Sequence, residues 1–218
     1  MGVISPVGND VNTFWSNLCD GVCGIDYIKS FPTDNLPVGI AGIIKDFKAE
    51  EYGMDKPFIR KQDLFTQYGV AAAYQAMRQS GLSSKGEDKN IDPFRLGVYF
   101  GSGIGGFATQ YREVSKMIED PSGQWISPLF IPTMISNIAA GHIAILHNAQ
   151  GPCLDIVTAC ATSTNAMGEA FRAIRNGYAD AIITGGCENA TIPIGIVGFA
   201  NAKALSRATD PNYASLPF

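Results

Sequence analysis

Charge is scarce in this chain, and histidine scarcer. Of 218 residues only 17% are Asp, Glu, Lys or Arg, against roughly 25% in ordinary soluble domains, and His142 and His147 are the only imidazoles. From Pro121 to Leu154 there is no formal charge of either sign. A membrane span needs about 20 unbroken apolar residues. Pro128, Pro132, Ser136, Asn137, His142 and Asn148 interrupt this stretch, so it reads as buried interior or subunit contact, with no membrane partner. A basic stripe is also absent, and the formal charge is −4, which argues against nucleic acid as a partner. Met1–Ser5 lacks the basic and apolar regions of a secretory signal. With that, an odd cysteine count of five predicts free thiols in a reducing, cytoplasmic setting. Cys19 and Cys23 are one helical turn apart, but Gly21 breaks the helix between them and no third ligand is near, so no metal site is expected.

What the chain does have is glycine, 24 residues of it, and a series of apolar runs that end on glycine. Asp10 is placed to cap a helix carrying Val11, Phe14, Trp15 and Leu18. Val38–Ile44 reads as a strand. From Arg60 a helix presents Leu64, Phe65, Tyr68, Ala72, Ala76 and Met77 on one face and stops at Gly81. Leu96–Phe100 is another strand, running into Gly101-Ser102-Gly103-Ile104-Gly105-Gly106. That spacing matches the dinucleotide fingerprint. No second strand ending in an acid follows, only the turn Asp120–Gly123, so a glycine turn shaping a pocket wall is favoured over nucleotide binding. Thr133 opens a further helix through Leu146. His142 lies among its core positions and His147 in its last turn, where a cation suits the helix dipole; both read as structural.

The most informative stretch is Leu154-Asp155-Ile156-Val157-Thr158-Ala159-Cys160-Ala161-Thr162-Ser163. A β-branched run climbs to a cysteine, and a helix follows with Ala166, Met167, Ala170, Phe171 and Ile174 at helical spacing. Asn176-Gly177 stops it, and Ala181–Thr184 reads as a second buried strand. The predicted unit is β-turn-helix-β with a thiol at the turn. A helix N-terminus favours negative charge, here a thiolate. Its free N–H groups can also hold the oxygen of a thioester under attack. Cys160 is the candidate nucleophile.

Gly151–Ser163 resembles the active-site signature of the β-ketoacyl-acyl carrier protein synthases, of the elongating synthase II type. Gly2–Gly8, Gly101–Gly106, Ser127–Pro132, Gly185–Glu188 and Gly195–Leu205 resemble the same family in the same order. The resemblance implies an α/β, thiolase-like fold, layered α/β/α/β/α in the complete enzyme, and a homodimer. It implies transfer of an acyl group from acyl carrier protein onto Cys160, then decarboxylative condensation with malonyl-acyl carrier protein, without a cofactor. Ile104 and Phe130 match acyl-pocket positions near the dimer contact, and Phe199 an aromatic bordering the catalytic cavity. Arg60, Lys61 and Lys203 match carrier-protein-binding positions. Gln124 and Trp125 replace a basic pair found in some relatives. A polyketide ketosynthase and a non-catalytic partner subunit are the alternatives; retention of Cys160 speaks against the latter.

Against that family, residues 1–218 read as its N-terminal domain, with the first strand and the C-terminal half missing. The resemblance places two catalytic histidines, a lysine and a second oxyanion donor in that half, and His142 and His147 match none of them. An N-terminal portion alone is expected to expose a large apolar face. It should therefore self-associate in solution; static light scattering reporting a monodisperse monomer would contradict this.

Overall fold

The computed structural model describes residues 1–215. The chain divides into two compact units, Met1–Gly2 with Lys48–Asn189, and Val3–Phe47 with the residues from Ala190 on. In chain order the elements are α1 (Val11–Cys19), β1 (Ile25–Tyr27), β2 (Ile40–Gly42), α2 (Lys56–Lys61), α3 (Leu64–Ser80), β3 (Leu96–Gly101) and α4 (Phe107–Glu119). They continue with α5 (Phe130–Met134), α6 (Ile138–His147), β4 (Cys153–Leu154), α7 (Thr162–Arg175), β5 (Ala181–Gly186) and α8 (Pro193–Asn201).

The larger unit is built on a parallel sheet of order β4-β3-β5. Every residue of β3 is buried, as a continuous apolar run in the centre of a parallel sheet should be. β3 pairs along its whole length with β5, from Leu96↔Ala181 to Gly101↔Gly186. The strand expected at Leu154–Val157 is shorter than its β-branched content suggests. β4 pairs only at Val98↔Cys153 and Tyr99↔Leu154, and the chain then leaves the sheet, with Leu154 and Val157 exposed. β5 is likewise only partly covered, Ile183 being its one buried residue.

Of the residues that periodicity placed on one face of α7, the structure buries the small ones and leaves the large ones exposed. α7 packs on β3 and β5 through Ala166, Ala170 and Ala173, while Met167, Phe171 and Ile174 stay exposed. Alanine lets the helix axis lie close to the sheet, and the bulkier residues flank that contact. α3 starts at Leu64, capped by Asp63, whose carboxylate accepts the Phe65 N–H. Its buried face runs through Phe65, Val70, Ala73 and Met77, and Leu64 is exposed. The helix expected from Thr133 is broken in two. Met134 is the end of α5, and its carbonyl accepts the Gly106 N–H at 2.9 Å, which turns Ile135 to extended backbone before α6 begins.

Both histidines are held neutral by their surroundings. His142 stands edge-on to Phe58, ring centres 4.8 Å apart, and burial lowers its basicity. His147 is pushed down to about 4, by burial first and the Lys85 charge second. The cation at the end of α6 is instead Lys85, whose Nζ donates to the Leu146 carbonyl at 2.6 Å. A lysine reaching in from another segment thus takes the dipole position expected of His147.

In the smaller unit Asp10 caps α1, accepting the Asn12 and Thr13 N–H groups. α1 buries none of its residues, and Trp15 and Leu18 are exposed. The strand expected over Val38–Ile44 contracts to β2, antiparallel to β1. Ile28, Val38 and Ile40 form a core with Ile196 and Ala200 of α8.

One buried charge ties α4 to the loop that follows it. Glu113, 1% exposed, accepts from Lys116 Nζ, Arg112 Nε and the Ser127 N–H, each at 3.0 Å. Burial pushes its carboxyl up, but those donors outweigh it and hold the group at about 2, below the ordinary 4.5. Because the folded value is depressed, its contribution is complete above about pH 4.5 and fades as pH falls towards 2. Glu113→Gln should therefore cost about 1–3 kcal/mol at neutral pH. The gap between variant and wild type in urea unfolding should narrow steadily below about pH 4.5; a gap independent of pH would refute the assignment.

Candidate active site

Cys160 lies in a single 3-10 turn, Ala159–Ala161, that runs directly into α7, and it is exposed. Neither the turn nor α7 has a capping side chain, so no side-chain oxygen competes there for the helix-end N–H groups. The turn is braced from both sides. Thr158 donates its N–H to Thr162 Oγ1 at 3.0 Å, Asn165 Nδ2 donates to Thr158 Oγ1 at 2.7 Å, and the Ala161 N–H reaches the Thr158 carbonyl at 3.1 Å. Ala159 is left-handed, with φ +51°, a conformation that costs a non-glycine residue roughly 1–2 kcal/mol. This strained residue directly precedes the thiol.

The other cysteines differ. Cys187 turns its thiol into the notch beside Gly69, where burial, then Glu188 and Asp155, push it well above its ordinary value. Cys153 is raised as well, by burial and then by Asp155. Both are thereby less nucleophilic. Cys19 and Cys23 are exposed, and among the described residues no group of three or more His, Cys, Asp or Glu could hold a metal ion.

The glycine turn after β3 meets this segment at van der Waals range. A Cβ on Gly101 would stand 2.1 Å from the Ile156 carbonyl oxygen and 2.8 Å from Thr162 Cγ2, and one on Gly103 3.6 Å from Ala159 Cα. On the other side, Gly105 and Gly106 press on the backbone of Thr133, Met134 and Ser136. The turn's donors are already committed. The Ile104 N–H goes to Glu188 Oε2 at 3.0 Å, Gly105 to Ser102 Oγ at 2.9 Å and Gly106 to Met134. A pyrophosphate would have to displace a carboxylate here, so the glycines serve close packing rather than phosphate binding.

Ile104 is an exposed residue of this turn, and Phe130 opens α5, whose last residues Thr133 and Met134 meet Gly105 and Gly106. Phe130 also lines a cleft of about 250 Å³ with Arg60, Lys61 and Arg112, so the larger unit joins one acyl-pocket candidate to two carrier-binding candidates. Phe199 and Lys203 belong to the smaller unit. Phe199 lines an apolar cleft of about 330 Å³ there, and Lys203 is exposed just beyond α8. Sequence reasoning assigned no role to Asp155, whose Oδ2 accepts from Ser136 Oγ at 2.5 Å, or to Glu188 and Arg112. For Glu188 a signal existed: it is the only charged residue between Asp180 and Lys203.

With this geometry in view, the comparisons are consistent. The β-ketoacyl synthase N-terminal domain matches residues 1–218, the whole chain. The chain belongs to the β-ketoacyl synthase family. It is 42% identical over 218 residues to 3-oxoacyl-[acyl-carrier-protein] synthase 2 of Staphylococcus aureus, covering 100% of this chain and 51% of that protein. This synthase chain thus spans about half the length of the curated relatives it matches. The crystal structure of a β-ketoacyl synthase from Burkholderia phymatum superimposes on all of it with a TM-score of 0.83 at 21% identity, using 52% of that chain. A type II polyketide-synthase ketosynthase in complex with its acyl-carrier protein matches 91% of this chain and 52% of its own, with a TM-score of 0.73 and 25% identity. The fold is that of the ketosynthases, the thiolase-like class read from the sequence. No helix among the described residues is long and apolar enough to cross a membrane.

Because Gly101 faces the Ile156 carbonyl directly, Gly101→Ala must move backbone rather than a flexible side chain. We expect a loss of at least about 1–3 kcal/mol in urea unfolding, and wild-type stability in that variant would mean the approach is not as close as described.

Proposed function

We propose that this chain carries the acyl-accepting part of a 3-oxoacyl-acyl carrier protein synthase of fatty-acid elongation. The observation that carries the reading is the exposed Cys160 thiol, held on a braced, strained turn at the uncapped start of α7. In the proposed step Cys160 Sγ attacks the thioester carbon of an acyl-acyl carrier protein. A bond forms from Sγ to the acyl carbon, the bond to the carrier's sulfur breaks, and the carrier leaves as its thiol after taking up a proton. Splitting the condensation through a thioester makes each half easier than the direct transfer. A backbone N–H of the turn that carries Cys160 would receive the developing oxyanion.

Ile104 and Phe130 would line the acyl chain's path, with Phe199 an aromatic at the cavity. Arg60, Lys61 and Lys203 would contact the acidic carrier. Decarboxylation of malonyl-acyl carrier protein would fall to groups outside this chain, since His142 and His147 match none of the positions at which the family carries its catalytic histidines. Work in the cytoplasm and as a homodimer completes the reading. Exposed Leu154, Val157, Phe171 and Ile145 are apolar surface of the kind that such assembly covers. A ketosynthase of polyketide assembly is the second reading, supported by the likeness to the polyketide ketosynthase–carrier complex.

Intact-mass spectrometry before and after incubation with a long-chain acyl-acyl carrier protein tests the proposal. A mass gain equal to the acyl group, absent from Cys160→Ala, is expected. A folded protein that gains no mass, or a gain that survives the substitution, would overturn it.

A further inference from the structure

Glu188 lies one residue past the buried thiol of Cys187 and two past the end of β5, and apart from a contact with the Asn189 N–H at 3.3 Å its hydrogen bonds point back onto the glycine turn. Oε1 accepts the Ser102 hydroxyl at 3.1 Å, and Oε2 accepts the Ile104 N–H at 3.0 Å. The Gly103 N–H is a further donor to the same carboxylate. Ser102, 1% exposed, passes the contact on, because its oxygen also accepts the Gly105 N–H. One carboxylate therefore gathers the donors of the whole turn from Ser102 to Gly105. The opposite side of that turn rests on the nucleophile's segment: a Cβ on Gly103 would meet Glu188 Oε2 at 3.1 Å and Ala159 Cα at 3.6 Å. Gly103 is thus held between the Glu188 carboxylate and the residue preceding Cys160. A Cβ there would be in tight contact with the carboxylate and in ordinary contact with Ala159, so the turn has little room to move while the carboxylate stays.

We propose that Glu188 is a positioning residue for acyl transfer, clamping the Ser102–Ile104 turn against Ala159 and so setting where Ile104 stands relative to the turn that carries Cys160. The inference rests on Cys160 being the acylated residue. The clamp acts by geometry rather than by charge. A glutamine in its place can accept the Ile104 N–H through Oε1 and donate to Ser102 Oγ through Nε2, giving up only the 3.3 Å contact from the Asn189 N–H, which leaves the turn where it is. An aspartate keeps the charge but draws the carboxylate back by about one bond length. It must then either release the turn or pull it away from Ala159. Displacements of about 1 Å near a reacting atom cost up to about 100-fold in rate.

The test compares Glu188→Gln, Glu188→Asp and wild type in the intact protein. Loading of Cys160 from octanoyl-, dodecanoyl- and hexadecanoyl-carrier protein is followed by intact mass. The rate of Cys160 alkylation by iodoacetamide is followed by peptide mapping, since Cys19 and Cys23 also react. Glu188→Gln should load within about threefold of wild type. Glu188→Asp should load about tenfold or more slowly, with an altered ratio among the three chain lengths, while alkylation by the small reagent stays within about threefold. Wild-type loading by Glu188→Asp, or equal losses in both variants, would overturn the inference. A Glu188→Asp protein that is unfolded by circular dichroism leaves the Gln variant decisive, because a role of the charge itself predicts a loss there. Absence of any adduct on Cys160 in wild type would instead count against the proposed function.

Discussion

The close approach of two backbone segments governs the larger unit. β3 ends at Gly101, and the Ile156 carbonyl passes so near that an ordinary Cβ could not be accommodated. That contact requires glycine at the strand's end and takes the chain out of the sheet after Leu154. It also delivers Thr158–Thr162 to the same end of the sheet as the turn Gly103–Gly106. Parallel sheets place such turns at the carboxyl ends of their strands, where successive connections converge. The thiol is displayed there because the sheet's centre is closed, with β3 buried along its length, and only the loops at its end are free to carry chemistry.

Charge is used sparingly, and several charged groups hold one segment against another. Glu113 holds the α4–α5 connection, and Glu188 gathers the glycine turn. Lys85 completes α6, and Asp63 reaches across from the head of α3 to accept the Thr109 N–H at 2.8 Å. In a chain this poor in ionic groups, a single carboxylate with several N–H donors does what a longer apolar contact does elsewhere. It fixes one loop against another by directional bonds. Such groups cost desolvation and are kept where every oxygen finds donors.

Much of this was legible from the residues alone. Asp10 as a cap, Gly81 as a helix stop, Leu96–Phe100 as a strand and Cys160 at a strand-to-helix turn all follow from local chemistry, which needs no partner to act. Legibility failed where packing overrode local preference. Periodicity put Ala166, Met167, Ala170, Phe171 and Ile174 on one face of α7, but of these the sheet covers only the alanines, which permit close approach. The helix from Thr133 broke at Ile135 because Gly106, some 30 residues earlier, claims the Met134 carbonyl. His147 is pushed down by burial first, and Lys85 from a distant loop takes the place of the cation at the end of α6.

Sequence by itself determined the family, the candidate nucleophile and the alternation of strand, turn and helix around it, because these depend on residue types at fixed short spacings. Tertiary structure decided the length of each strand, the buried face of each helix and the contacts of Glu188. Those depend on which atoms from remote segments come within hydrogen-bond or van der Waals distance, and spacing along the chain carries no record of that.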